Sequence, residues 1–245
     1  MLLLLGISSL ISLVAAFVLG IRLLRLAGRT RGVPELAIGS SFLLGGFLGF
    51  LFILIGNPAA GMAFPAHVSE LLFRLGMSLV GVGVCFTYVF VWQTFWPNSV
   101  AARALALTAI VCILVSISAV WSASIQESLI SPLHLFGEAV RLGGLLWGSS
   151  EALRYYAAMR RRLALGLADP VVTNRFLLWG VAMSAGVVAS LSGLFMTISG
   201  MVNPGAWPYL VLGIFTTISP VAQWFAFFPP RSYCEWLQNS AVEVG

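Results

Sequence analysis

The feature that most constrains this chain is a succession of seven apolar segments, each long enough to cross a lipid bilayer. They cover roughly 2–26, 35–56, 65–95, 100–122, 132–158, 173–199 and 208–229. A spanning helix needs about 20 predominantly apolar residues. The connections are short and contain the glycine and proline residues that end helices. The sequence therefore predicts an all-α integral membrane protein, a bundle of seven transmembrane helices called helices 1 to 7.

The composition agrees with a membrane location, because the chain has little polar surface to offer to water. It is 60% hydrophobic and only 9% charged, whereas about a quarter of a soluble domain is charged. We expect residues 1–230 to form the membrane domain. Residues 231–245 would form a short cytoplasmic tail with an interfacial helix, since Tyr233, Trp236 and Leu237 fall on one helical face. The lipid bilayer is thus a predicted partner, and nucleic-acid binding is not predicted.

The arginines predict the orientation, because basic residues concentrate on the cytoplasmic side of membrane proteins. They lie beside the first, third and fifth connections and after helix 7: Arg22, Arg25, Arg29, Arg31, Arg103, Arg154, Arg160, Arg161, Arg162, Arg175 and Arg231. Loops 57–64, 124–131 and 200–207 contain no basic residue. We therefore expect the N-terminus outside and the C-terminus inside, in a bacterial cytoplasmic (inner) membrane.

A weak internal echo suggests a repeat. Helix 3 ends in WQTFWP (92–97) and helix 7 in WFAFFP (224–229), a displacement of 132 residues; FLLGG (42–46) and FLLWG (176–180) are displaced by 134. Parallel repeats of this kind occur in some transporters, and they would give a 3+1+3 layout here. Aromatic residues and prolines also favour membrane exits for other reasons, which leaves a chance match open.

The helix count, orientation and weak repeat resemble the broad seven-helix class that includes rhodopsins, heptahelical receptors and sugar-facilitator-like transporters. All thirteen basic residues are arginine, so a retinal Schiff base is excluded. Pro220 predicts a kink in helix 7. The receptor pattern Asn-Pro-x-x-Tyr is not matched, because Ser219 and Gln223 occupy its ends.

Two segments with similar charged groups, PAHVSELLFRLG (65–76) and PLHLFGEAVRLG (132–143), open helices 3 and 5. In each, the three ionisable side chains fall within about 60° on a helical wheel; they are His67, Glu70 and Arg74, and His134, Glu138 and Arg141. A charge at the bilayer centre costs about 2.5–3.5 kcal/mol. We therefore expect the glutamates and arginines to face the bundle interior or water, with the histidines near the outer interface and both groups at a similar depth.

Four interpretations of these six residues are open. They form structural ion pairs, either within each helix or across it as Glu70–Arg141 and Glu138–Arg74. They line an outward-facing pocket between helices 3 and 5, where arginines bind a small anionic ligand and histidines respond to pH. A metal site or a bis-histidine haem is also conceivable. We predict the ligand pocket, with no metal and no cofactor, because the arginines repel a cation and the histidines lie near the interface.

The predicted function is therefore that of a receptor-like or sensory multi-pass protein with a cytoplasmic or membrane protein partner. A small-molecule or proton-coupled transporter is one alternative, and an accessory subunit of a membrane complex is another. An enzyme is less favoured. Two histidines, no aspartate within a span and no serine motif provide little of the machinery that intramembrane hydrolysis requires.

Overall fold

The computed structural model describes residues 2–57, 64–122, 124–200 and 207–242. Throughout these ranges the regular structure is helical, without a strand, which confirms the predicted all-α class. The helices are α1 Leu2–Thr30, α2 Val33–Gly56, α3 Ala66–Phe95, α4 Val100–Ser122, α5 Pro132–Leu163, α6 Pro170–Ser199, α7 Trp207–Phe227 and α8 Arg231–Val242. Helices α1 to α7 overlap predicted helices 1 to 7, and their ends differ from the predicted ones by at most five residues. A short helical turn, Ile125–Leu129, precedes α5 and was not predicted.

Six helices in the described ranges are long and apolar enough to cross a membrane, which confirms a multi-pass membrane protein. The exception among the seven long helices is α5, whose 32 residues include the second charged group and the run Arg160–Arg162. Its crossing of the membrane and the orientation of the bundle stay predictions. Most of the predicted outer loops 57–64 and 200–207 lies outside the described residues, as do 243–245 of the tail.

Local signals explain where α5 and α6 begin. Pro132 occupies the first turn of α5, and the Ser131 hydroxyl accepts the His134 N–H at 3.3 Å. Before α6, the Asp169 carboxylate accepts the N–H groups of Val171 and Val172 at 2.7 and 3.1 Å. Proline lacks the N–H that a first turn leaves unpaired, and capping side chains satisfy the N–H groups that remain.

The long helices pack in sequence order. Each contacts its neighbours along the chain, α7 contacts α1, and α3 also contacts α5. The closest crossing joins α2 to α3, where a Cβ added to Gly83 would lie 2.6 Å from Cα of Gly45. Only glycine allows two backbones to approach so closely. One cluster of buried core residues combines α1, α2, α3 and α5, and a second combines α3 and α4.

Two helices depart from regular α geometry. The segment Phe42–Gly49 of α2 is a π-helix, and α7 contains Pro220. Proline has no N–H to give to the carbonyl of Thr216, four residues earlier. The hydroxyl of Ser12 in α1 donates to that carbonyl instead, at 2.9 Å. Irregular turns of this kind are found frequently at functional sites.

Candidate functional site

The charged group of α5 forms one network, in which His134 and Arg141 are buried and Glu138 is partly buried. The Nε2 of His134 lies 3.3 Å from Oε1 of Glu138, and the guanidinium of Arg141 lies 3.1 Å from the same oxygen. His134 is 2% exposed and Arg141 is 5% exposed. Within the described part of the chain, Nδ1 of His134 has no hydrogen-bond partner. The predicted pairing of Glu138 with Arg141 is confirmed, and it gives α5 a largely buried ionic centre.

The charged group of α3 has a different environment. Arg74 forms an ion pair with Glu70 in the same helix, as one of the predicted arrangements required. The Arg74 guanidinium also donates to the backbone carbonyl of Val120, near the end of α4. The Glu70 side chain is 47% exposed, and His67 is exposed. Arg74 thus connects α3 to α4 at the rim of the bundle.

The two groups do not lie at the same depth. Gly81 of α3 packs against Ile117 of α4, and Gly137 of α5 packs against Ser116, one residue away. Gly81 and Gly137 are therefore nearly level. Arg74 precedes the first by seven residues and Arg141 follows the second by four. At 1.5 Å per residue, the two arginines are separated by roughly 16 Å along the bundle axis.

The expected common depth of the two groups and the two cross-pairs are consequently wrong. Glu70 does not meet Arg141, and Glu138 does not meet Arg74. The reason is that equal offsets from a helix start place residues at equal depth only when the helices start level. Here the chain forms the turn Ile125–Leu129 before α5, and α3 begins fifteen residues before Gly81, whereas α5 begins only five residues before Gly137. The predicted ligand-binding role of the six residues is not tested by this geometry and stays a prediction.

Metal and haem ligation are less compatible with this placement. The four residues considered as metal ligands fall into the two separate groups, His67 with Glu70 and His134 with Glu138. Across the described ranges, no group of three or more histidine, cysteine, aspartate or glutamate side chains could hold an ion.

A central cavity of about 130 Å³ lies between α2, α3, α5, α6 and α7. Its hydrogen-bonding side chains are two pairs and the indole of Trp179, whose buried Nε1 has no partner among the described residues. The hydroxyls of Ser41 and Thr87 are 2.8 Å apart, and the Gln223 amide donates to Ser219 at 3.4 Å. The remaining wall is mostly apolar and includes Ile38, Phe42, Phe90, Leu145, Met183 and Phe227. An apolar cavity with a few polar groups is typical of small-molecule sites.

The α5 group leads toward this cavity. On a helical wheel, its three ionisable side chains and Leu145 all lie within about 60° of one another. Leu145 lines the cavity, one turn beyond Arg141. One face of α5 thus carries ionisable groups from its first turn down to the cavity wall.

A second cavity, of about 600 Å³, opens beside the first and is called the basic cleft below. It is lined by Arg22, Arg25 and Arg29 of α1 and by Arg175 of α6. Trp179 and Phe227 line both cavities, and their ring centroids are 5.6 Å apart. These two rings therefore belong to the walls of both the central cavity and the basic cleft.

The sequence had offered partial signals for the central cavity. Ser219 and Gln223 flank the proline that predicted a kink, and Thr87 is separated from Ser219 by the repeat displacement of 132 residues. The Ser41–Thr87 pair was not predicted. Hydroxyls in apolar helices usually bond to their own backbone, so a serine or threonine alone does not indicate a cavity.

The fold and the cavities define the class: an all-α, multi-pass membrane protein with polar groups inside its bundle. Comparison with protein-family models, with curated proteins and with solved structures finds no match.

Proposed function

We propose that this protein is a receptor-like membrane protein that binds a small ligand inside a seven-helix bundle. The observation that carries the proposal is the central cavity, with two polar side-chain pairs in a mostly apolar wall. Its volume of about 130 Å³ is comparable with that of an apolar cavity of about 150 Å³ that accommodates benzene. The ligand is therefore expected to be small, with one or two hydrogen-bonding groups.

A seventh crossing by α5 is part of this proposal. Several polar residues within α5 face other helices: His134, Arg141, Ser149 and Glu151 are buried, whereas the exposed arginines lie in its last third. Ser149 is bonded to the Ser184 hydroxyl of α6 at 2.6 Å. Ionisable residues in a spanning helix are tolerated when they face a bundle interior. With α5 spanning, the arginine distribution gives an outer N-terminus and an inner C-terminus.

The irregular helices supply a route from ligand to response. The π-helical segment begins at Phe42, and Pro220 adjoins Ser219; Phe42 and Ser219 both line the cavity. Such turns have more than one accessible hydrogen-bond arrangement, so a ligand that favours one arrangement shifts the population toward it. The response would reach a cytoplasmic or membrane partner through the inner ends of α2 and α7, near the predicted interfacial helix α8.

The six ionisable residues are proposed as the outer, anion-recognising part of the same site. The unpartnered Nδ1 of buried His134 and the position of Arg141 above the cavity support this role for the α5 group. The α3 group supports it less, because Glu70 and Val120 already engage Arg74. Replacing Arg74 and Arg141 by glutamine is expected to abolish anion binding while the protein stays folded in detergent. Retention of anion binding in that folded variant would contradict the role.

A matched pair of glycines in α6 tests the central site. Gly186 lines the cavity, and a Cβ there meets only Leu145, at 3.6 Å; around Gly193, seven residues later, nothing lies within 4 Å. Gly186→Leu should fill the cavity, whereas Gly193→Leu adds the same side chain to open space. Compounds that raise the Tm of the purified protein should lose their effect in Gly186→Leu and keep it in Gly193→Leu. Equal responses of the two variants would place ligand binding elsewhere.

A transporter is the second candidate, and one specific observation favours it. Trp179 and Phe227 line both the central cavity and the basic cleft, so the two cavities adjoin, and the α5 group leads toward the first of them. Solute uptake into proteoliposomes containing only this protein would support transport over a receptor. Co-purification of a stoichiometric partner without uptake would support the receptor, or a subunit of a larger complex.

A further inference from the structure

The basic cleft brings together four arginines from two helices that are far apart in the sequence. Arg22, Arg25 and Arg29 lie within about 60° on one face of α1, and Arg175 lies on α6 at the same cavity of about 600 Å³. Its apolar wall includes Trp179, Phe227 and Phe228. The cleft therefore combines a concentrated positive charge with an apolar floor.

No carboxylate among the described residues forms an ion pair with the arginines of the cleft, and the ion pairs found there all lie on α3 and α5. Arg22 is positioned over the ring of Phe228, 4.0 Å from its centroid. The acidic residue nearest in sequence to Arg175, Asp169, is bonded to the N–H groups at the start of α6. Like charges held around one cavity repel one another, and a bound anion relieves that repulsion.

Basic residues on the cytoplasmic side are expected for any membrane protein, but that preference does not require a cavity. The run Arg160–Arg162 at the end of α5 illustrates the difference. It belongs to the same predicted side and lines neither of the two cavities. The cleft arginines instead converge on a concave site with aromatic walls.

We propose that the basic cleft binds the phosphate group of a phosphate-bearing ligand, either the headgroup of an anionic lipid or a soluble phosphate compound. Guanidinium groups present paired N–H donors that match phosphate oxygens, and such charge-assisted bonds are the strong ones. The aromatic wall receives the apolar part of the ligand. This site is separate from the proposed central site, and it does not depend on that proposal.

The test uses the full-length purified protein and two probes. Inorganic pyrophosphate binding is measured by calorimetry, and retention of phosphatidylglycerol against phosphatidylcholine is measured by native mass spectrometry. The cleft variant is Arg25→Gln with Arg175→Gln; the control is Arg160→Gln with Arg162→Gln, which removes the same charge outside the cleft. For whichever probe the wild-type protein binds, the affinity of the cleft variant should be at least about tenfold lower. The affinity of the control should stay within about twofold of the wild-type value.

The two probes distinguish the sources of the phosphate. Pyrophosphate binding that the cleft variant loses supports a soluble ligand, and phosphatidylglycerol retention that it loses supports a lipid headgroup. The proposal is overturned if the wild-type protein neither binds pyrophosphate nor retains phosphatidylglycerol in preference to phosphatidylcholine. It is also overturned if both double variants lose binding equally. If the cleft variant does not fold, the single variants Arg25→Gln and Arg175→Gln make the same comparison. Failure of Gly186→Leu to affect a ligand of the central cavity leaves these outcomes unchanged.

Discussion

The charged groups of α3 and α5 have the same residue types at nearly the same offsets, yet the fold uses them differently. In α5, His134 and Arg141 are buried around one oxygen of Glu138. In α3, His67 and Glu70 are exposed, and Arg74 bonds across to α4. The comparison teaches that a sequence match fixes the face of a helix on which residues lie. It does not fix their depth, which depends on where each helix starts relative to its neighbours.

The largest expected effect is an all-or-none cross-linking result that tests the difference in depth. Val91 and Gly148 face each other across α3 and α5: a Cβ added to Gly148 would lie 3.1 Å from Cγ2 of Val91, once the flexible Met183 side chain, which lies closer still, moves aside. In a background lacking Cys85, Cys112 and Cys234, cysteines at 91 and 148 should form a disulfide under mild oxidation. Disulfides require Cβ atoms about 3.5–4.5 Å apart.

The matched pair places cysteines at 74 and 141. It should not cross-link, because the structure separates these positions by roughly 16 Å along the bundle axis. Gel mobility before and after reduction reports both pairs. Efficient cross-linking of position 74 with position 141 would show that the two arginines lie at the same depth, as the sequence had suggested.

The next effect is on stability. Arg141→Gln removes the cation nearest the partly buried Glu138 and is expected to lower the free energy of unfolding by about 3 kcal/mol. Arg74→Gln leaves a half-exposed glutamate that water can solvate, and it should cost about 1 kcal/mol. Denaturant titration of the protein in mild detergent measures both. Equal losses would mean that the two arginines have equivalent environments.

Replacing the two histidines should also change the free energy of unfolding unequally, by smaller amounts than the arginine substitutions. His134→Ala deletes a buried ring and one partner of Glu138, with an expected loss of about 2 kcal/mol. His67→Ala changes an exposed residue at the helix start and should alter stability by no more than about 0.5 kcal/mol. The same titration applies, with Tm as a second readout. A larger loss for His67→Ala would reverse the assignment of buried and exposed groups.

The smallest effect concerns Glu70. Glu70→Gln removes an ion pair at the bundle rim, while the bond from Arg74 to the Val120 carbonyl remains. Exposed pairs within a helix contribute about 0.3–0.5 kcal/mol, so the expected change is of that order and should shrink at high salt. A salt-independent loss above about 1 kcal/mol would show that this pair is buried in the bilayer or by a partner.

Much of the fold could be predicted because its determinants are local. Runs of about 20 apolar residues specify spanning helices, and Pro132, Asp169 and Gly200 mark helix ends in their own immediate sequence. The pairing of Glu70 with Arg74 and of Glu138 with Arg141 also follows from spacing on one helix. The Ser41–Thr87 contact could not be predicted, because its residues are 46 positions apart and on different helices.

The amino-acid sequence by itself determined that this is an all-α membrane protein, where its helices run, and which face of each helix carries its charges. Those properties depend on apolar length and on a helical repeat of 3.6 residues, both of which are read along one segment. Only the tertiary structure decided that the two charged groups lie at different depths, that a cavity separates Leu145 from Gln223, and that arginines of α1 and α6 share a cleft. These features depend on the axial position of each helix relative to the helices packed against it. That register is set by close contacts such as Gly45 with Gly83 and by connecting segments such as Ile125–Leu129.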